Sequence, residues 1–157
     1  MGTVGKYLRY DETYTWDANI NGIIVRYVGN SFHQYDFWIE NWFPGPNDGS
    51  VLPQAVIYSV QGVPAHEPYA YYCPERNTAL FINADYYGQC KSWALGLADA
   101  VLRAKGTHSI HGSCVDVNGR GTVMVAPTGT GKSTHSYGLL EYPGTSAHSD
   151  DWLYIDY

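Results

Sequence analysis

A chain of 157 residues, 45% hydrophobic and 15% charged, has room for one good-sized domain or a small domain plus part of another. Its formal charge of −6 and the absence of any Lys/Arg cluster argue against nucleic acid as a partner, because that affinity rests on neutralising phosphates. No apolar run reaches the roughly eighteen residues a membrane span needs, and Met1–Tyr7 lacks the apolar stretch of a signal peptide, so a soluble cytoplasmic protein with no membrane partner is expected.

Cys73, Cys90 and Cys114 are odd in number and widely spaced, which suits buried thiols rather than a disulfide framework or a CxxC metal site. Fifteen tyrosines and five tryptophans suggest aromatic sheet surfaces and packed clusters.

In chain order, residues 1–22 read as turns at Asp11-Glu12-Thr13 and Asn19-Ile20-Asn21-Gly22 around a weak strand. Ile23–Val28 is β-branched and reads as a strand ended by Gly29-Asn30. From Ser31, Tyr35, Phe37 and Ile39 alternate with Gln34, Asp36 and Trp38, which predicts a second strand. Residues 43–49 force a loop, Gln54–Val60 predicts a third strand, and Gly62-Val63-Pro64 interrupts it. Tyr69–Tyr72 and Ala79–Ile82 predict a hairpin around residues 74–77. Residues 1–84 are thus expected to form a β-rich module. Its aromatics serve as core or cross-strand partners, and His33 and His66 lack a second ligand at metal spacing.

Residues 85–106 change character. Trp93, Leu97, Val101 and Leu102 recur at helical spacing, Arg103 and Lys105 suit the negative end, and Gly106 is the expected stop. This predicts a linking helix. Ser109–Val117 predicts a strand, Asn118-Gly119 a tight hairpin turn, and Thr122–Val125 the antiparallel partner.

That partner strand runs into Ala126-Pro127-Thr128-Gly129-Thr130-Gly131-Lys132-Ser133-Thr134. A glycine-rich turn between a strand and a helix aims successive N–H groups inward, with the positive helix end behind them, and so suits a chain of phosphates. Lys132 would reach the outer phosphates, and the Ser133 hydroxyl would meet Mg²⁺, a hard cation that prefers oxygen. Gly129, Thr130, Gly131, Lys132, Ser133 and Thr134 are the candidate nucleotide-binding residues; Ala126 stands where the usual pattern has glycine. A short helix is expected over Thr134–Glu141, stopped at Tyr142-Pro143-Gly144, and then a strand over residues 146–155 containing Asp150 and Asp151. Adjacent aspartates in a strand face opposite ways unless the strand bends. One would serve a metal and the other a substrate hydroxyl, the division of labour that phosphoryl transfer needs.

The run His111–Gly121, the loop ending Gly129-Thr130-Gly131-Lys132-Ser133 and the pair Asp150-Asp151 together resemble the core of HPr kinase/phosphorylase and related serine kinases. More distantly, the loop and the aspartates resemble ATP-dependent phosphoenolpyruvate carboxykinase. The likeness covers roughly residues 108–155 and implies an α/β (α+β) protein: the β-rich module, the linking helix and, over residues 107–157, the first part of a P-loop kinase core. The resemblance further implies ATP with Mg²⁺ as cofactors, Ser133 and Asp151 as metal-side groups, and Asp150 as general base toward a hydroxyl of a protein serine or small molecule. Asp150 and Asp151 could exchange these roles. His111 would lie near the transferred phosphate. Relatives of this kind form homo-oligomers and extend beyond the core seen here. A non-catalytic nucleotide-binding module, or a fragment that needs a C-terminal half or partner chain, is the alternative expectation. The acceptor, and the choice among ATP, GTP and pyrophosphate as donor, are not legible in the sequence.

Overall fold

The computed structural model describes residues 3–8, 12–46 and 49–156. Asp11, Asn47 and Asp48, which the sequence assigns to turns, lie outside the described residues. Among the described residues are three α-helices and eleven strands in three sheets, an α+β composition. The chain divides into two compact units, residues 1–105 and 106–157.

In the first unit, β1 (Tyr14–Ile20) and β2 (Ile23–Gly29) form a hairpin. Its two-residue turn, Asn21-Gly22, takes positive φ at both positions, the geometry that matches strand twist. Asp17 and Arg26 lie directly opposite each other and pair through two hydrogen bonds of 2.7 and 2.8 Å. β4 (Ala55–Val60) lies parallel to β2, and β6 (Thr78–Ile82) parallel to β4. β5 (Tyr69–Cys73) returns antiparallel to β6, as the hairpin expectation required, and the two-residue β3 (Phe43–Pro44) closes the other edge on β1. The order across the sheet is β3-β1-β2-β4-β6-β5.

Residues 31–39 are not a strand. They belong to α1 (Phe32–Asn41), capped by Ser31, whose side chain accepts from the Gln34 N–H. The helical stripe was hidden because one of its two buried positions, Gln34, is polar, and the other is Trp38 one turn on. Gln34 tolerates burial because its amide is used at both ends. Nε2 donates to Ala84 O at 2.7 Å, and Oε1 accepts from Ser59 Oγ at 2.5 Å. Trp38 packs on Tyr27 at 5.4 Å between ring centroids. The N-terminal region is therefore a six-stranded mixed sheet that also carries helices.

α2 (Tyr87–Arg103) is the expected amphipathic helix, and Gly106 beyond it has a positive φ of 82°. It buries Tyr87, Cys90, Ala94, Leu95, Leu97, Ala98 and Leu102 and packs on β2 and β4, within the first unit. The buried Asp99 pairs with Arg103 at 2.6 Å, one turn on. No described helix is long and apolar enough to cross a membrane.

In the second unit, the expected single strand over residues 109–117 is two: β7 (Thr107–His111) and β8 (Ser113–Val117), broken at Gly112. A side chain on Gly112 would begin 2.7 Å from Met124 O, so only glycine allows this approach of backbones. Asn118-Gly119, both at positive φ, turns β8 into the antiparallel β9 (Arg120–Met124) as expected. α3 (Lys132–Leu139) follows the glycine-rich loop and packs on β8. The expected final strand is also two: β10 (Thr145–Ser149) on β8, and β11 (Trp152–Asp156) on β7. Asp150 and Asp151 occupy the break, not a strand interior. The register between β10 and β8 shifts at His148, a bulge just before the pair. Gly112 N–H donates to Asp151 O at 2.9 Å, tying the two breaks together.

Candidate functional site

α3 begins without a side-chain cap. Gly131 occupies the cap position at φ 94°, and the first intrahelical bond runs from His135 N–H to Gly131 O at 2.9 Å. The amides of the first helical turn, Lys132, Ser133 and Thr134, therefore have no acceptor within the helix and point out of its N-terminal end. Gly129 also has positive φ, at 80°, which turns the loop over that end. This is an anion cradle made of backbone, with the helix dipole behind it.

Ala126, where the usual pattern has glycine, keeps a negative φ, so its methyl group meets no backbone penalty there. Its carbonyl accepts from Lys132 Nζ at 2.8 Å, and Pro127 O accepts from the same ammonium at 3.3 Å. Lys132 is thus held along the loop, with one of its three N–H donors left over.

A cavity of about 360 Å³ is lined by Thr128, Gly129, Gly131, Lys132, Ser133 and Thr134 on the loop side and by His111, Asp150 and Asp151 on the other. Three segments separated in sequence meet here because both strand breaks, Gly112 and Asp150-Asp151, lie beside the loop. The bend also removes the expected opposition of the two aspartates: both carboxylates border one cavity. Of the sequence-predicted site residues, eight line it and Thr130 does not. Thr130 instead donates from Oγ1 to Pro127 O at 2.7 Å and closes the turn.

The two aspartates have different company. Asp151 Oδ1 lies 3.2 Å from His111 Nε2, both side chains being about half exposed at 49% and 50%. The imidazole also stacks on Trp152, its cross-strand partner, at 5.3 Å and 17°. Asp150 Oδ2 accepts from the Tyr137 hydroxyl at 3.2 Å. Tyr137 and Trp152 were not singled out by sequence. Tyr137 lies four residues after Ser133 and so on the same face of α3, a readable signal. The Trp152–His111 contact depends on strand register, which the sequence does not disclose.

Hard oxygen donors dominate the cavity: the hydroxyls of Ser133 and Thr134 and the carboxylates of Asp150 and Asp151. Among the described residues, no group of three or more His, Cys, Asp or Glu is placed to hold a metal ion by itself. This donor set fits Mg²⁺, which takes one or two protein oxygens and completes its shell with phosphate oxygens and water. No protein-family model matches the chain, and no curated protein matches it.

Proposed function

We propose that the second unit binds a nucleoside triphosphate with Mg²⁺ and transfers its terminal phosphate to a hydroxyl group, in the manner of the HPr-kinase-like enzymes it resembles. The observation that carries this reading is the convergence of an uncapped helix N-terminus, Lys132 and Ser133 with Asp150, Asp151 and His111 around one cavity.

In this reading the amides of α3 and the loop hold the phosphates, and Lys132 leaves its carbonyl partners to neutralise the outer ones. Ser133 and Asp151 are the groups that would hold Mg²⁺, which spreads the negative charge developing on the transferred group. Asp150 receives the proton of the attacking hydroxyl, and the Tyr137 hydroxyl keeps its carboxylate turned into the site. His111, steadied by Trp152 and Asp151, orients the transferred phosphate or the acceptor. Positioning and electrostatics do most of the work in such a reaction.

A specific observation favours the second reading, a nucleotide-binding module without turnover. Among the described residues of the second unit only Cys114 and Val115 are buried and apolar, so little of its own core is closed. One experiment separates the two. Mg·ATP is titrated calorimetrically onto the purified chain, onto Lys132→Ala and onto Asp150→Ala, and nucleotide hydrolysis and transfer are followed in parallel. Phosphotransfer predicts binding lost in Lys132→Ala but kept in Asp150→Ala, with turnover falling about 10²–10⁴-fold in the latter. Binding with no turnover by the parent chain supports the second reading, and a folded chain that binds no nucleotide overturns both.

A further inference from the structure

A second cavity shares the Asp150 wall. It encloses about 300 Å³ between α3 and the β8–β10 pair, and its lining includes Val115, Tyr137, Leu140, Ala147 and His148. Asp150 borders this cleft as well as the phosphate-loop cavity, and its Oδ2 accepts from the hydroxyl of Tyr137, a residue of the cleft wall. The volume is that of a small-molecule site.

The chemistry of the cleft is restrictive. Ser136 Oγ donates to Lys132 O at 3.0 Å, and Ser149 Oγ donates to Trp152 O, so the two serine protons at its border are spent on backbone. Cys114 contributes a buried thiol, a weak donor. Asp150 and the exposed His148 imidazole are left as the polar side chains, Asp150 with lone pairs beyond the one that the Tyr137 hydroxyl occupies. A well-matched occupant therefore has a compact apolar body against Val115, Tyr137, Leu140 and Ala147, and one hydroxyl reaching Asp150. A polyol, a sugar or the amide-rich surroundings of a protein serine would bring polar groups that the cleft leaves unpaired.

We infer that this cleft is the acceptor subsite and that the acceptor is a small alcohol with one hydroxyl on an apolar body. The inference rests on the phosphotransfer reading of the adjoining cavity. In the step, the alcohol oxygen bonds to the terminal phosphorus as its proton passes to the Asp150 carboxylate. The bond from that phosphorus to the bridging oxygen breaks, and its electron pair leaves with the nucleoside diphosphate.

The test uses the full chain with Mg·ATP, benzyl alcohol as probe and glycerol as its polar counterpart. Amide NMR reads binding, and phosphorus NMR reads ester formation. Benzyl alcohol should shift the amides of Val115, Leu140 and Ala147 and become benzyl phosphate, while glycerol does neither. Leu140→Trp, which fills the cleft, should weaken benzyl alcohol binding at least about tenfold and leave the Mg·ATP affinity within about twofold. Leu140→Ala, a smaller change that keeps the C-cap of α3 apolar, should retain binding and admit the bulkier naphthylmethanol. Mg·ATP binding with no occupation of the cleft, or Leu140→Trp binding the alcohol as well as the parent, overturns the inference and leaves nucleotide binding standing. Equal phosphorylation of glycerol overturns the apolar acceptor alone. Benzyl alcohol in the cleft without any nucleotide binding overturns the phosphotransfer reading and with it the acceptor role.

Discussion

The two units of this chain divide packing from chemistry. Among the described residues, twenty-one buried apolar ones lie in the first unit, from Ala18 to Leu102, and two, Cys114 and Val115, lie in the second. The residues proposed for catalysis and binding are all in the second, and most of them are exposed. A six-stranded sheet whose helices bury Trp38, Leu95 and Leu97 spends its side chains on self-burial. The second unit keeps polar groups and backbone amides open at two strand breaks and a helix end. An amide that must meet a phosphate cannot also be satisfied by its own fold.

The largest expected effect tests the packed half. Trp38 is fully buried against Tyr27, and Trp38→Ala should lower unfolding free energy by about 3–5 kcal/mol, read from urea unfolding. Val115→Ala, at the best-buried apolar position of the second unit, should cost much less. Equal costs for the two would break the contrast.

Next comes the strand break that shapes the site. Gly112→Ala should push β9 away through the Met124 carbonyl at a cost of about 1–3 kcal/mol, and should weaken Mg·ATP binding by moving Asp151. Calorimetric affinity checks this. A variant with unchanged affinity would show that the kink does not govern the site.

Alkaline pH sharpens the comparison from the other side. Burial pushes the Cys90 thiol up to about 12 and also raises the phenols of Tyr27 and Tyr87, all in the first unit. In the unfolded chain the thiol ionises near about 8.5 and the phenols near about 10. Above those values the unfolded chain holds fewer protons than the folded one, so stability, intact at lower pH, falls as pH rises. The slope is up to about 1.4 kcal/mol per pH unit for each group, and for Cys90 it ends near its folded value. Urea midpoints measured as a function of pH should decline in this way. In Cys90→Ala the decline should begin later, with the phenols.

The smallest effect concerns the helix that the sequence pattern hid. Ser31→Ala should cost about 1 kcal/mol by removing the cap of α1, measured by thermal unfolding. The bond from Gln34 N–H is long, at 3.4 Å, which keeps the cost from exceeding that figure.

Much of this was legible residue by residue. Asn118-Gly119 announced its hairpin, the apolar spacing of Trp93 to Leu102 announced α2, and the glycines around Lys132 announced a turn into a helix. Each is a short-range signal, in which the residue carries its own backbone preference. α1 does not show in the sequence pattern because Gln34 is buried, and its burial depends on Ser59 and on the Ala84 carbonyl, supplied by segments tens of residues away.

The sequence by itself determined the local devices: which turns are tight, where an uncapped helix would start, and which carboxylates stand side by side. Only the tertiary structure decided that the strands break at Gly112 and at Asp150-Asp151, that both aspartates border one cavity with the loop, and that Tyr137 and Trp152 hold Asp150 and His111. The physical reason is that side-chain alternation along a strand is set by backbone geometry, whereas a break is set by what the neighbouring strand presents. Gly112 yields because the Met124 carbonyl stands where a side chain would be, and no local pattern encodes that approach.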